Sequence, residues 1–309
     1  MPYDARIRRR LKLRDLDTLL TVARCRSMAK AATELAVSQP AVSKTIADME
    51  HTLGVRLLDR TAQGVRPTLY GEALMKWANV VFDDVRQGIK EIEFLADPSA
   101  GELRIGAAEP MLGGFLAAVI AQINRRYPHI VFEVTHGPSV AQLLRDLRDR
   151  RFDFVIGRVM HGQNDDDLTA EILFEEPWSV VAGPQNRFVR RRKVALSDLL
   201  NEPWSMPPPD SVVGVYLTQI FRDAGLERPR AVVTCGSMQM HEALMASGSF
   251  LAIFPRSLLK FSAGRITAKV LPVKLPGRPP PVGIVTLKNR TLSPVTQLFV
   301  ECARELAVP

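Results

Sequence analysis

Proline restricts where a helix can begin. Pro40 sits inside LAVSQPAVSKTIADME (residues 35–50), where Val37, Val42, Ile46 and Met49 are spaced like one buried helix face. In a helix interior, proline costs about 3 kcal/mol, because it lacks an N–H and its ring meets the preceding turn. The stretch is self-consistent if the helix starts just before the proline. Ser38 then acts as N-cap, and Pro40 falls in the first turn, where its missing N–H has no helical partner. Gly54 supplies the stop. With Pro40 at its start, the outer face carries Ser38, Gln39, Ala41, Ser43, Lys44 and Thr45. Such side chains suit a DNA groove. Glutamine can bond an adenine edge with both ends of its amide, hydroxyls reach bases or phosphates, and the Ala41 methyl can meet a thymine methyl.

The preceding residues fit a helix–turn–helix. Apolar positions 16, 19, 20 and 23 have helical spacing, and Ser27 caps a second helix over 28–36. Ala32 is small where the two helices cross, and Ala36 takes the turn. Ala36 is neither Gly nor Asn, so a left-handed turn there carries strain. VRLLDRTAQGVRPT (55–68) then reads as a hairpin turning at Gln63 and Gly64. It would act as a wing holding Arg60 and Arg66 over phosphates or the adjacent minor groove. Residues 1–66 hold 13 Lys/Arg against 7 Asp/Glu, within a chain of net charge +8. The basic excess is thus concentrated where a polyanion reader needs it. The opening segment, with Arg6, Arg8, Arg9, Arg10, Lys12 and Arg14, is either a frayed tail or a nucleic-acid arm.

Thr68 can cap a long helix over 69–96. Its positions 74, 78, 81, 85, 88, 92 and 95 are Leu74, Ala78, Val81, Val85, Gly88, Ile92 and Leu95. Steps of four and three form the seam of a helix paired with another helix, here the same helix of a second copy; Gly88 is its weak point. A single buried helix is the other reading.

ADPSAG (96–101) has linker composition. Beyond it, strands alternate with helices, which predicts α/β architecture with a mainly parallel sheet. One unit spans about 102–160 and a second about 161–265, and the chain returns to the first over 266–309. The predicted division is therefore 1–67, a helical DNA-binding domain with a basic extension; 68–97, a linker and dimerisation helix; and 98–309, two α/β lobes. A cleft between such lobes is where small molecules bind. Ser139 and Ser237 each follow a strand and a glycine and begin a helix, so each either offers N–H groups to a carboxylate or hydroxyl, or simply caps its helix. Arg158, just past FVIG, either pairs with an anionic ligand or is a solvated surface arginine. Pro207, Pro208 and Pro209 either shape the far wall or end a strand.

No GxSxG elbow, P-loop, GxGxxG or HExxH occurs, which argues against an enzyme, and no cofactor is expected. His51, His129, His136, His161 and His241 lack metal-ligand spacing and read as surface or capping residues. NDDD (164–167) reads as a solvated loop. Cys25, Cys235 and Cys302 have no CxxC spacing, which fits a reducing compartment; Cys235 lies beside the expected cleft. The basic start is not followed by an apolar stretch, and no apolar run reaches ~18 residues, so neither a secretory signal nor a membrane span is expected and a cytoplasmic location follows. The competing reading is a solute-binding or enzymatic α/β protein with an incidental basic helical domain. The missing export signal weighs against the first form and the missing catalytic motifs against the second.

The stretch SMAKAATELAVSQPAVSKTIADMEHTLGVRLLDRTAQGVRPTLYG closely resembles the winged helix–turn–helix of LysR-type transcriptional regulators. RRYPHIVFEVTHGPSVAQLLRDLRDRRFDFVIG and CGSMQMHEALMASGSFLAIFPRSLL are similar to that family's effector domain. Leu58 stands where the family usually has Phe. The resemblance implies an all-α winged helix–turn–helix, a dimerising linker helix and a two-lobed, periplasmic-binding-protein-like effector domain. It implies a regulator of double-stranded DNA whose bound arrangement, as homodimer or homotetramer, is switched by a small molecule in the cleft, with RNA polymerase as a further contact. The family pattern draws the lining from Ala108, Glu109, Pro110 and Met111, from Ser139, and from Ser237 and Met238 opposite. FVIGR, EEPWSVVAG and PWSMPPP are similar to a branch that regulates sugar-binding-protein and aromatic-acid catabolic genes, so sugars and organic acids are the expected effectors.

Overall fold

A computed structural model describes residues 10–61, 64–137, 139–159, 166–262, 264, 266–278 and 281–307. The chain divides into two compact units, 1–88 and 89–309. The division falls inside the long helix, not at its two ends as expected.

The first unit starts with α1 (Leu13–Cys25), α2 (Met28–Glu34) and α3 (Gln39–Leu53). Leu19, Val22, Ala31, Ala32, Val42, Ile46 and Met49 meet in its core. Small Ala31 and Ala32 let the helices approach closely. The wing is β1 (Leu58–Thr61) paired antiparallel with β2 (Gly64–Pro67). It is tied down at both ends. Val65 N donates to Arg26 O at 3.0 Å, and a Cβ on Gly64 would lie 2.6 Å from that same oxygen. Glu50, on α3, accepts from Leu57 N (2.7 Å) and Leu58 N (3.2 Å). Thr68 Oγ1 donates to Arg56 O and accepts from Gly71 N, opening α4 (Leu69–Ala96).

The second unit holds two five-stranded sheets. The first contains β3 (Ala100–Ala107), β4 (His129–His136), β5 (Phe154–Arg158), β6 (Leu168–Glu175) and β12 (Pro281–Leu287), in the order β4-β3-β5-β12-β6. It packs α5 (Ala117–Arg126) and α10 (Pro294–Ala307) around Leu103, Ile105, Phe154 and Phe299, while Leu143, Leu144 and Leu147 of α6 (Val140–Arg148) form a separate cluster with Phe152 and Val155. The second contains β7 (Trp178–Ala182), β8 (Trp204–Met206), β9 (Ala231–Thr234), β10 (Leu251–Pro255) and β11 (Lys269–Val270), in the order β11-β7-β10-β8-β9. Its helices are α7 (Val212–Asp223), α8 (Met238–Ala246) and α9 (Arg256–Phe261).

Three expectations are corrected. The sheets are mixed: β12 runs antiparallel to β5 and β6, and β7 antiparallel to β10 and β11. Strands that arrive from the other lobe need no helical crossover, so nothing forces them parallel. The lobe boundaries also move. β6 pairs with β12 and β11 with β7, so the first lobe runs through 175 and resumes at 281, instead of ending at 160 and resuming at 266. Finally, AKVLPVKL (268–275), inside the stretch expected to return to the first lobe, contributes only the two-residue β11 to the second sheet, as Pro272 interrupts the ladder.

Ahead of α5 come a short turn, Glu109–Met111, and a π-helical turn, Leu112–Leu116. A Cβ on Gly114 would lie 2.8 Å from Leu258 Cα, so the glycine admits α9 against this turn. At the base of the first lobe, buried Asp153 accepts from Lys90 Nζ (3.1 Å), Arg104 N (2.8 Å) and Arg290 Nη2 (2.9 Å). Burial alone would raise the Asp153 carboxyl, but Lys90, the Arg104 amide and Arg290 hold it below its ordinary value. The end of α4 is thereby fixed to the first lobe through Lys90.

Candidate functional site

Two regions hold the residues singled out by the sequence. On α3, Ser38 Oγ accepts from Ala41 N at 3.4 Å as N-cap, and Pro40 lies in the first turn. Ser38, Gln39, Pro40, Ala41 and Lys44 are exposed, while Ser43 and Thr45 are half-buried. Val42, Ile46 and Met49 are buried, but Val37 is 49% exposed. Val37 precedes the helix and follows Ala36, whose φ of 53° turns the chain outward. Arg66 is exposed on β2. The Arg60 side chain, Arg6, Arg8 and Arg9 lie outside the described residues. Arg10, Lys12 and Arg14 line a groove with Thr45, Asp48 and His51 of α3. Part of the basic start thus adjoins the helix with the candidate reading face.

Along α4 the seam divides. Leu74 is half-buried against the helical core and Ala78 is fully buried, so neither is offered to a partner. The remainder is open: Val81, Val85, Ile89, Ile92 and Leu95 are exposed, rising from 37% at Val81 to 75% at Leu95.

Between the lobes, the expected residues do come together, in a form the sequence did not foretell. Glu109, at the end of β3, reaches the second lobe, where its Oε1 accepts from Met238 N at 2.7 Å. The chain's own carboxylate therefore occupies the helix start expected to receive a ligand. Burial raises the Glu109 carboxyl, opposed by the Met238 amide, and Oε2 has no hydrogen-bond partner. Ala108 and Pro110 are half-buried and Met111 is buried. Ser139 accepts from Gln142 N (3.2 Å) and Ser237 from Met240 N (3.3 Å), so both act as helix caps here. Pro207 and Pro208 offer carbonyls to Arg228 and Ser211, shaping the entry to α7.

Arg158 is 7% exposed, not a surface arginine. Its guanidinium carbon lies 4.1 Å from the ring centre of Trp178 and 5.2 Å from that of Tyr216, both in the second lobe. Nη1 and Nη2 make no hydrogen bond. Burial brings its pKa down to about 10, with Tyr216 and Glu176 acting against the shift, so it is cationic at neutral pH. Trp178 and Tyr216 went unnoticed in the sequence; the only signal was the tryptophan in EEPWSVVAG beside two glutamates.

His241 is also buried, contrary to expectation. Its Nδ1 lies 2.7 Å from Ser205 Oγ and its Nε2 3.0 Å from Cys235 O, and burial lowers its pKa. Of NDDD, Asp167 pairs with Arg148, while Asn164 and Asp165 lie outside the described residues.

Residues 13–72 match the profile "Bacterial regulatory helix-turn-helix protein, lysR family", and 96–307 match "LysR substrate binding domain". The chain is 27% identical over 289 residues to the HTH-type transcriptional regulator GbpR of Azospirillum brasilense, covering 93% of this chain and 84% of that one. It is 26% identical over 298 residues to the HTH-type transcriptional regulator PcaQ of Agrobacterium fabrum, covering 96% of each. The crystal structure of CbnR, a LysR family transcriptional regulator, superposes with a TM-score of 0.64 at 20% identity, covering 97% of this chain and all of that one. Among the described residues, no helix is long and apolar enough to cross a membrane.

Proposed function

Because this chain belongs to the LysR family of DNA-binding transcriptional regulators, and is a regulator and not an enzyme, we propose how its parts divide the work. The α3 face from Ser38 to Thr45 reads base edges, with Gln39 as the principal reader, while Arg60, Arg66 and the basic start bind phosphates. Two copies pair along the exposed Val81–Leu95 stripe. Dimers pair again into a homotetramer that acts beside RNA polymerase in the cytoplasm.

The effector is an organic acid held between the lobes at Arg158. The supporting observation is that this guanidinium is buried against two aromatic rings with Nη1 and Nη2 unpaired. A buried cation in that state favours an anion in its own plane over a neutral sugar. Glu109, on the neighbouring strand end, favours an acid that also carries a donor group.

A thermal-shift screen of organic acids and sugars on the full chain tests this. At 100 times its Kd, a ligand selective for the fold stabilises by about 2.7 kcal/mol. An acid should raise Tm, and Arg158→Met should abolish the rise. A rise with sugars alone, or one that survives Arg158→Met, refutes the assignment.

A further inference from the structure

Charge is divided unevenly between the two lobes. The second lobe, residues 176–280, holds 14 Lys/Arg against 7 Asp/Glu, whereas the first, 98–175 with 281–309, holds 11 against 13. The second lobe is thus as basic as residues 1–66, although the helix–turn–helix lies elsewhere. Its excess is densest in one turn that follows β7. Arg187, Arg190, Arg191, Arg192 and Lys193 are five cations in seven residues, all exposed. Arg187 pairs with Glu202. Among the described residues, none of the other four has an ion pair.

This turn is held in place from within. Asn186 Nδ2 donates to Ser249 O at 2.7 Å, and Asn186 Oδ1 accepts from Phe188 N at 2.9 Å. Phe188 and Val194 are 2% and 5% exposed, both in the core of the second lobe. The guanidinium carbons of Arg187 and Arg191 lie 5.1 and 4.9 Å from the Phe188 ring centre. The apolar side chains therefore anchor the turn, while Arg190, Arg192 and Lys193 stand in solvent on a fixed backbone. Like charges this close repel one another, and a row of negative charge relieves that repulsion. The turn also distinguishes among polyanions. Acidic protein partners are held mainly by aromatic or aliphatic anchors, and a membrane surface by inserted apolar side chains; here Phe188 and Val194 are buried and open to neither. A duplex backbone needs only cations, since it presents one negative charge per about 1.7 Å of axis and accepts guanidinium groups bidentately.

We propose that this turn is a second DNA contact, one that binds duplex phosphates without reading sequence. Arg190, Arg192 and Lys193 displace counterions from the backbone, and Arg187 and Arg191, stacked on Phe188, keep the turn in shape. The contact rests on the assignment of the chain as a DNA-binding regulator and adds to it, because sequence choice stays with α3.

Two measurements on the full chain, with a duplex of arbitrary sequence, test the proposal. Acetylation of Lys193, read by mass spectrometry, should fall at least about fivefold when the duplex is bound, while Lys288, exposed on the first lobe, should react as before. The double variant Arg190→Gln with Arg192→Gln should reduce the steepness of log K against log salt by about 1–2. Arg125→Gln with Arg126→Gln, an equal loss of charge at exposed positions of α5, should change it by less than about 0.5. Equal reductions in the two variants would mean that only net charge counts, and unprotected Lys193 would mean that the turn stays in solvent; either result overturns the proposal. Stronger protection of Lys193 by poly-glutamate than by the duplex, at equal charge concentration, would assign the turn to an acidic protein and overturn it as well. Preference among duplex sequences should survive in the Arg190→Gln, Arg192→Gln variant, and its loss there would refute a role confined to the backbone. A parent chain with no such preference would fault the α3 assignment and not the turn, whose test is the protection of Lys193.

Discussion

Among the described residues of the DNA-binding unit, Ala36 is, with Arg26, one of two points where a non-glycine residue takes a left-handed backbone. Its φ of 53° lies in the left-handed region, where a Cβ costs on the order of 1–2 kcal/mol. The turn is still made, with Ala36 N donating to Thr33 O and Val37 N to Ala32 O, because it carries the chain from α2 into the cap of α3. Ala36 is exposed, so removing its methyl leaves no cavity. Glycine loses more backbone entropy on folding, which offsets part of the relief. Ala36→Gly should therefore stabilise the unit by about 0.5–1 kcal/mol. Hydrogen exchange at the Val42 and Ile46 amides should slow by about two- to fivefold; unchanged or faster exchange would show that the turn is not strained. This turn was legible in the sequence, because helix–turn–helix spacing fixes which residue must reverse the chain. The burial of Arg158 was not. It depends on Trp178 and Tyr216, brought over the guanidinium by a separate sheet and helix, and no local pattern encodes that meeting.

Among the elements, α4 shows what periodicity can and cannot decide. The four-three spacing identified a helix of the observed length and an apolar stripe along it. Spacing alone cannot say what covers each position. Leu74 goes to the helical core, Ala78 is buried within the chain, and only the stripe from Val81 to Leu95 is open. A run of apolar side chains this exposed is unfavourable in water, and pairing with a second copy would bury it. Val81→Asp with Val85→Asp places two like charges on each side of that seam. The double variant should weaken self-association at least about 100-fold and sediment as a monomer at concentrations where the parent is a dimer. An unchanged dimer would move the interface off this helix. The sheets show the same limit. LTAEILFE alternates like a strand, but alternation does not name its sheet. β6 joins the first sheet because β12 returns alongside it, a partner distant in sequence.

Across the whole effector unit, the question is what holds the two lobes together without a ligand. The sequence pointed to the cleft and to Glu109, but not to a direct bridge. In the structure Glu109 accepts from Met238 N at the start of α8, and Arg158 stacks on Trp178 and Tyr216. Both contacts start from adjacent strand ends, β3 and β5. A ligand can shift such a unit only by its differential affinity for the joined and separated lobes, so these contacts set the balance on which an effector acts. The Met238 amide reports on one of them. Glu109→Ala removes its acceptor, whereas Glu109→Gln keeps a carbonyl oxygen in reach and loses only the charge. Exchange at Met238 should accelerate at least about tenfold in Glu109→Ala, and less in Glu109→Gln. Exchange at the Gln142 amide, capped by Ser139 within the first lobe, should not change in either variant. Acceleration at both amides would mean that the substitution loosens the first lobe generally. An unaltered rate at Met238 would mean that the lobes are held by the Arg158 stack and that Glu109 does not join them.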